Sequence, residues 1–388
     1  MKFIFFILAS VAFFSGTASA TLSLPTPPPT EARSYIVVDV DSNQILAEHD
    51  ANRRVEPAST TKLMTAYLTF QALKSGRLSL DQRIPVSESV WKKPGSSMYI
   101  DPRMNVPVDD LIKGMLVQSG NDATNLLAET IGGTVDGFVP MMNIQANMLG
   151  MKSTTFRNPE GLPTPGHLTT ARDLAILGMS ILRDFPEYAH YFSIKHYYYP
   201  GTPPSNGTNR NQLLFRDPTV DGMKTGHTDS AGYCLVASAS RSTENFGMRR
   251  IITVVLGATS ERQRANETEK LLNWGFRAYD PVRLSLTEST HETQKIWKGK
   301  KDSIEVGIES TSISVPSGQT SNIEYEYKVT TPLVAPIAKG DKVGTFRVTL
   351  SNTLLLELPV KALEDVEEAN FVIKIWDTLI LFFKDLFS

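Results

Sequence analysis

The chain has 388 residues, 41% hydrophobic and 21% charged, which is enough for two or three globular domains with an ordinary soluble balance. A formal net charge of -2 gives no reason to expect a nucleic-acid partner. The single cysteine, Cys234, excludes an internal disulfide, so stability has to come from core packing.

Residues 1–20 combine Lys2, an apolar run from Phe3 to Phe14 and the triplet Ala18-Ser19-Ala20, the pattern of a secretory signal peptide. The run is shorter than the roughly 20 residues a spanning helix needs, so the mature chain is expected to start at Thr21. Residues 21–30 form a proline-rich leader expected to stay extended and unpacked. Short strands are expected at 35–39 and 44–48 around the turn residues Asp41, Ser42 and Asn43.

The stretch 57–70 then places Ser59 and Lys62 three residues apart at a helix start, where the two side chains share one face. Leu63, Met64, Tyr67, Leu68 and Phe70 recur behind them at helical intervals. The unpaired N–H groups of a helix N-terminus favour a serine alkoxide, and a lysine that has lost its charge can take the proton. A second Ser-x-x-Lys, Ser89 to Lys92, runs into Lys93-Pro94, so no helix continues from it and Lys92 reads as an exposed charge. Lys74-Ser75-Gly76 reads as the cap of the first helix.

Amphipathic helices are expected at 109–117, 122–131, 136–148 and 171–182, with a Pro/Gly-rich loop at 158–166. Strand patterns return after Met223, at 232–240 and 250–257, and a helix is expected at 267–279. Strands on both sides of a helical block indicate one mixed α+β domain over 31–280. Cys234 lies in the alternating run and reads as a small buried apolar residue.

From Pro281 short alternating runs at 304–308, 312–315, 323–329, 342–350 and 354–360 predict a small β-sandwich over 281–365, read as a spacer or interaction module. Residues 366–388 form an amphipathic tail helix. Lys374, Asp377, Thr378, Lys384, Asp385 and Ser388 share one side with only Leu381 intruding, while Phe, Ile, Trp and Leu cover the remainder. Four charges argue against spanning; a helix lying in the lipid headgroup region fits, held by Trp376, Phe382, Phe383 and Phe387. The competing arrangement is a helix packed on the chain's own domains or on a partner protein.

Two more motifs complete a constellation. Ser119-Gly120-Asn121 follows Ser59 by 60 residues, and Lys224-Thr225-Gly226 follows Ser119 by 105. The three motifs in this order resemble the penicillin-binding protein and serine β-lactamase superfamily. With Asn209-Arg210-Asn211, the stretch from Asp221 to Thr228 and Leu271-Leu272-Asn273-Trp274-Gly275-Phe276, nearly the whole mature chain is similar to the low-molecular-mass D-alanyl-D-alanine carboxypeptidases.

The resemblance implies a β-lactamase-like catalytic fold, a trailing β-domain and removal of the terminal D-alanine of peptidoglycan stem pentapeptides on the periplasmic face of the inner membrane. It also implies acylation by penicillins. Ser59 is then the nucleophile, Lys62 the base, held neutral by Lys224 and partial burial, and Ser119 the proton relay. Asn121 would pair with the substrate amide, and the backbone N–H groups of Ser59 and His227 would form the oxyanion hole beside Gly226. Lys224, Thr225 and Arg264 would receive the substrate carboxylate, with Arg262 as the competitor for the last place. His49, His167, His190, His196 and His291 read as structural or exposed. No cofactor and no metal are expected, and a homodimer is left open.

A class A β-lactamase would need a Glu-x-x-Leu-Asn loop; Glu160 reads Glu-Gly-Leu-Pro-Thr, so penicilloyl-enzyme is expected to turn over slowly. A non-catalytic wall-binding or scaffold protein would have lost Ser59, Lys62 or Lys224, and all three are present. A Ser-His-Asp hydrolase lacks support because no Gly-x-Ser-x-Gly elbow occurs.

Overall fold

The computed structural model describes residues 24–284 and 291–387, so the expected signal peptide and the first leader residues lie outside the described residues. In chain order the elements are β1 (Ser34–Asp39), β2 (Gln44–His49), α1 (Lys62–Lys74), β3 (Arg83–Pro85), α2 (Glu88–Trp91), β4 (Asn105–Pro107), α3 (Val108–Leu116) and α4 (Asn121–Gly132). They continue with α5 (Val135–Met148), α6 (Ala171–Asp184), α7 (Leu213–Arg216), β5 (Val220–Thr228), β6 (Gly232–Thr243), β7 (Gly247–Ala258), α8 (Glu261–Ala278) and β8 (Tyr279–Leu284). The last are β9 (His291–Trp297), β10 (Ser303–Gly307), β11 (Thr311–Pro316), β12 (Ile323–Val329), β13 (Leu333–Val334), β14 (Lys342–Leu350), β15 (Thr353–Ala362) and α9 (Phe371–Leu386).

The first compact unit comprises Pro25–Leu284 and Thr311–Ser317. Its antiparallel sheet has the order β2-β1-β7-β6-β5, so strands from the two ends of the unit meet in the middle. Alternation along β1 sends Ile36 and Val38 to one core and Tyr35 and Val37 to the other. In β7, Ile252, Val254 and Leu256 face the first core while Ile251 and Val255 face the second. Burial on both faces is why these strands read as nearly continuous apolar runs. The first core holds α1, α3, α4 and α6; the second lies under α8. Eleven residues of α1 are buried, among them Lys62, Thr65 and Thr69, so it is a central helix without a wet face.

Three boundaries differ from the sequence reading. Helix α8 begins at Glu261 rather than at 267, because the Ser260 hydroxyl caps it by accepting from Gln263 N–H, 3.1 Å. Strand β11, expected within the trailing domain, pairs instead with β8, Ile313 opposite Val282. It is held there by Ser314, whose hydroxyl donates to the buried Asp39 carboxylate at 2.8 Å, the same carboxylate that pairs with Arg249 at 2.7 Å. The leader is not unpacked throughout, since the Pro29 carbonyl accepts from Lys270 Nζ at 2.6 Å.

The second unit carries a sheet of order β12-β14-β15-β10-β9-β13 within residues 291–310 and 318–387. On β14, Phe346, Val348 and Leu350 are buried, the alternation that the sequence displays. Helix α9, capped by the Asn370 side chain, buries none of its residues. Its exposed residues include Phe371 (76%), Trp376 (65%) and Phe387 (83%). The half-covered positions are Lys374, Asp377 and Leu381, and the Asp377 carboxylate accepts from Lys298 N–H. Within the unit Lys374, Asp377 and Leu381 are therefore turned inward, while most of the apolar side chains face outward. No described helix is long and apolar enough to cross a membrane.

Candidate active site

Ser59 sits in a single 3-10 turn, Ala58–Thr61, that runs directly into α1. The turn sets Lys62 Nζ 3.0 Å from Ser59 Oγ, so the pair expected from the spacing is in contact. Lys62 is fully buried and also donates to Asn121 Oδ1 and to the Glu160 carbonyl, each at 2.8 Å. Two of its three partners can only accept. A neutral amine keeping those two bonds has its lone pair left facing the third partner, the Ser59 hydroxyl. Burial is the main cause that brings Lys62 down to about 7; Glu160 opposes this, Arg210 adds to it and Asp122 opposes it.

Ser119 lies between α3 and α4 with φ of 60°, the left-handed region, which for a residue with a side chain costs on the order of 1–3 kcal/mol. In that conformation its Oγ accepts from Lys224 Nζ at 3.1 Å. Lys224 also donates to the Thr225 carbonyl at 3.0 Å, and among the described residues no carboxylate is hydrogen-bonded to it. Burial, then the charges of Lys62, Arg210 and Arg264, hold its pKa well below the ordinary lysine value. The positive Lys224 expected beside Lys62 is therefore a form that burial and these neighbours act against. Both amines are thus held below the ordinary lysine range by burial and by the cations gathered around them.

Strand β5 reaches the nucleophile through Gly226. A Cβ there would stand 3.0 Å from Ser59 N and 3.1 Å from Pro57 O, so the close approach needs glycine. Thr225 beside it is buried, and the His227 ring stacks on Tyr233 with centroids 3.9 Å apart. Asn121 Oδ1 accepts from Lys62 and Nδ2 donates to the Pro94 carbonyl at 2.7 Å, so the side chain also orients the base. Between Arg264 and Arg262 the structure separates a buried from an exposed side chain. Arg264 donates through Nη2 to the Arg210 carbonyl at 3.0 Å, while its Nε has no partner.

Sequence reasoning assigned no role to three contributors. Asp122 accepts from Ser97 Oγ (2.6 Å) and the N–H groups of Met98 (2.8 Å) and Tyr99 (2.9 Å), fixing the loop that forms one wall. Arg210 donates to Ser96 Oγ of that loop at 3.1 Å. Glu160 is buried, with its carbonyl on Lys62. Asp122 and Arg210 lie inside stretches that carried the resemblance and Glu160 in the Pro/Gly-rich loop, but only their depth and neighbours reveal what they do. Ser89 and Lys92 lie apart from this constellation, with Lys92 paired to Glu88 at the surface. His167 is buried, bonded to Thr61 Oγ1 at 3.0 Å, and burial lowers its pKa to about 4, so it is a neutral structural ring. Among the described residues no group of three or more His, Cys, Asp or Glu is placed to hold a metal ion.

Residues 21–260 match the family described as D-alanyl-D-alanine carboxypeptidase, and residues 279–368 match the C-terminal domain of penicillin-binding protein 5. D-alanyl-D-alanine carboxypeptidase DacC of Escherichia coli K12 is 39% identical across 98% of this chain and 95% of its own. DacA of the same organism is 35% identical across 97% of this chain and 95% of its own. The solved structure of penicillin binding protein 5 from Haemophilus influenzae superposes with a TM-score of 0.82 at 37% identity, covering 89% of this chain and 100% of that one. Penicillin-binding protein D2 of Listeria monocytogenes, solved in an ampicillin-bound form, gives a TM-score of 0.57 at 32% identity, covering 65% of this chain and 100% of that one.

Proposed function

The chain belongs to the D-alanyl-D-alanine carboxypeptidase family, and from that premise we propose the roles of its residues in removing the terminal D-alanine of peptidoglycan stem pentapeptides. Ser59 Oγ attacks the carbonyl between the two D-alanines while its proton passes to the Lys62 lone pair. The oxyanion that forms is received by the N–H groups of Ser59 and His227, a contribution of about 3–4 kcal/mol per donor. Ser119 Oγ already accepts from Lys224, which leaves its own proton free for the leaving nitrogen. The C–N bond breaks, D-alanine departs, and the proton now on Lys62 replaces the one Ser119 gave. Water then adds to the acyl-enzyme with Lys62 again as base, releasing the shortened peptide and Ser59. A β-lactam ring opens by the same attack, but its leaving group stays tethered.

The single observation that carries this reading is Lys62, buried, with two obligate acceptors and the Ser59 hydroxyl as its third neighbour. The substrate carboxylate completes the site. Placed beside Lys224, Thr225 and Arg264 it adds an anion next to these cations, favours the charge on Lys224 and so drives Lys62 further toward the neutral form. An N-acylated tripeptide ending in D-Ala-D-Ala is therefore expected to release D-alanine at least about 100-fold faster, by kcat/KM, than the same peptide with an amidated C-terminus, the loss of one buried charge pair. Equal rates would remove the carboxylate from the mechanism.

The outward apolar face of α9 supports attachment to the periplasmic surface of the inner membrane, lying in the headgroup region. A helix packed for its own sake on the protein would cover Phe and Trp rather than Lys374 and Asp377.

A further inference from the structure

The loop between α5 and α6 is pinned against the nucleophile turn more tightly than a connecting segment requires. Thr65 Oγ1 donates to the Pro159 carbonyl at 2.8 Å, Gly161 N–H donates to Asn158 Oδ1 at 2.7 Å, and a Cβ at Gly161 (φ +90°) would lie 1.8 Å from the Ala58 carbonyl oxygen. The result holds Glu160 with its carbonyl on Lys62 Nζ at 2.8 Å and its side chain only 3% exposed. The carboxylate is not satisfied there. Oε1 lies 4.0 Å from Lys93 Nζ, beyond a hydrogen bond, and Oε2 has no partner among the described atoms. A buried carboxylate without a direct donor is costly, and the mechanism above does not use it.

Its surroundings indicate what it does. The charged groups facing Lys62 are Glu160 from this loop, Asp122 from α4, Arg210 from the segment before α7, and Lys224 from β5. The Glu160 carbonyl accepts from Lys62, and the cation paired with its carboxylate is Lys93, which lies one residue before the Pro94 carbonyl that holds Asn121. Lys93 is 28% exposed where Glu160 is 3% exposed. The carboxylate thus belongs to the residue whose carbonyl is bonded to the base, with Lys93 as its neighbouring cation.

We propose that Glu160 is a positioning residue that sets, with Lys93 as its attenuator, how firmly Lys62 holds a proton, and so the pH range in which Ser59 can be acylated. The inference rests on Lys62 acting as the base. Burial alone would strip Lys62 of its proton; Glu160 is the first of the charges that oppose this. Retaining the proton matters after the attack, when Lys62 must remain cationic until Ser119 needs resupply.

The test is the pH profile of the second-order rate of acylation by a fluorescent penicillin, for wild type, Glu160→Gln, Glu160→Asp and Lys93→Met, with thermal unfolding as a check on folding. Removing the carboxylate charge lets Lys62 deprotonate sooner, so the rising limb of Glu160→Gln is expected to move to lower pH by about one unit. Removing the attenuating cation is expected to move the limb of Lys93→Met to higher pH, and Glu160→Asp, which keeps the charge, is expected to stay near wild type. A merely structural loop residue would lower the rate at every pH and leave the midpoint in place. A wild-type limb near 7 that neither Glu160→Gln nor Lys93→Met displaces overturns the inference, as does displacement of both in one direction. Absence of any limb near 7 in the wild type overturns instead the reading of Lys62 as base.

Discussion

At the scale of single residues the site is governed by how far two lysines are taken from water. Ser59 and Lys62 were legible because three-residue spacing on a helix start puts side chains in contact whatever surrounds them. The state of Lys224 was not, since it depends on its burial and on Arg210 and Arg264, which are distant in sequence. The same holds for Glu160, whose motif context argued only against a β-lactamase-type deacylation. Lys62 titrating at about 7 has two consequences. Acylation should rise with pH through about 7 as the lone pair becomes available, and the rate profile with penicillin should show that limb. Stability follows the same group with a sign that can be worked out. The folded-state value lies below the unfolded one of 10.5, so between about 7 and 10.5 the unfolded chain binds the extra proton and stability rises with pH. Lys62→Met is therefore expected to abolish acylation yet to unfold at a higher temperature than wild type below pH 7. Its advantage should shrink as pH rises toward 10.5, a comparison that calorimetry across pH would check.

At the scale of elements, the sequence displayed whatever repeats with a strict period. The apolar runs of β1 and β7, the two-residue alternation of β14 and the apolar rows of α3 and α6 appear where expected. The first six residues of α8, Glu261 to Asn266, did not declare themselves, because they are mostly polar and their helical start is set by the Ser260 cap. Strand β11 was assigned to the wrong neighbour since its alternation specifies two faces but not which sheet edge it joins; Ser314 on Asp39 and Arg249 decides that. Helix α9 shows the opposite of a globular surface helix, with Lys374 and Asp377 turned inward. A chain ended at Asn370 keeps the pairings of Val366 with Ile337 and Glu368 with Gly299 while losing the whole helix. That chain is expected to stay folded and labelled by penicillin but to lose sedimentation with phospholipid vesicles. Vesicle binding equal to that of the full chain would refute the anchoring role.

At the scale of the whole molecule, one chain carries two units of different grammar, and both were visible as a change of pattern near Pro281. The catalytic unit closes its sheet with strands separated by some two hundred residues, β1 against β7, and this places β5 alongside the Ser59 turn through Gly226. The site is accordingly a product of the topology: Ser59 comes from the turn before α1 and Lys62 from the start of α1, Ser119 and Asn121 from the approach to and start of α4, Lys224 from the sheet edge. Motif order could announce that these meet, but not the close approach at Gly226 that makes them meet at ångström range. The claim on which the rest stands is that the Ser59 hydroxyl makes the covalent bond. Labelling the full chain with a fluorescent penicillin, wild type beside Ser59→Ala, and reading the adduct on a denaturing gel and by peptide mass, tests it directly. One stable adduct on the peptide that contains Ser59, absent from the folded variant, is the expected result; an adduct of equal intensity in Ser59→Ala would contradict the account.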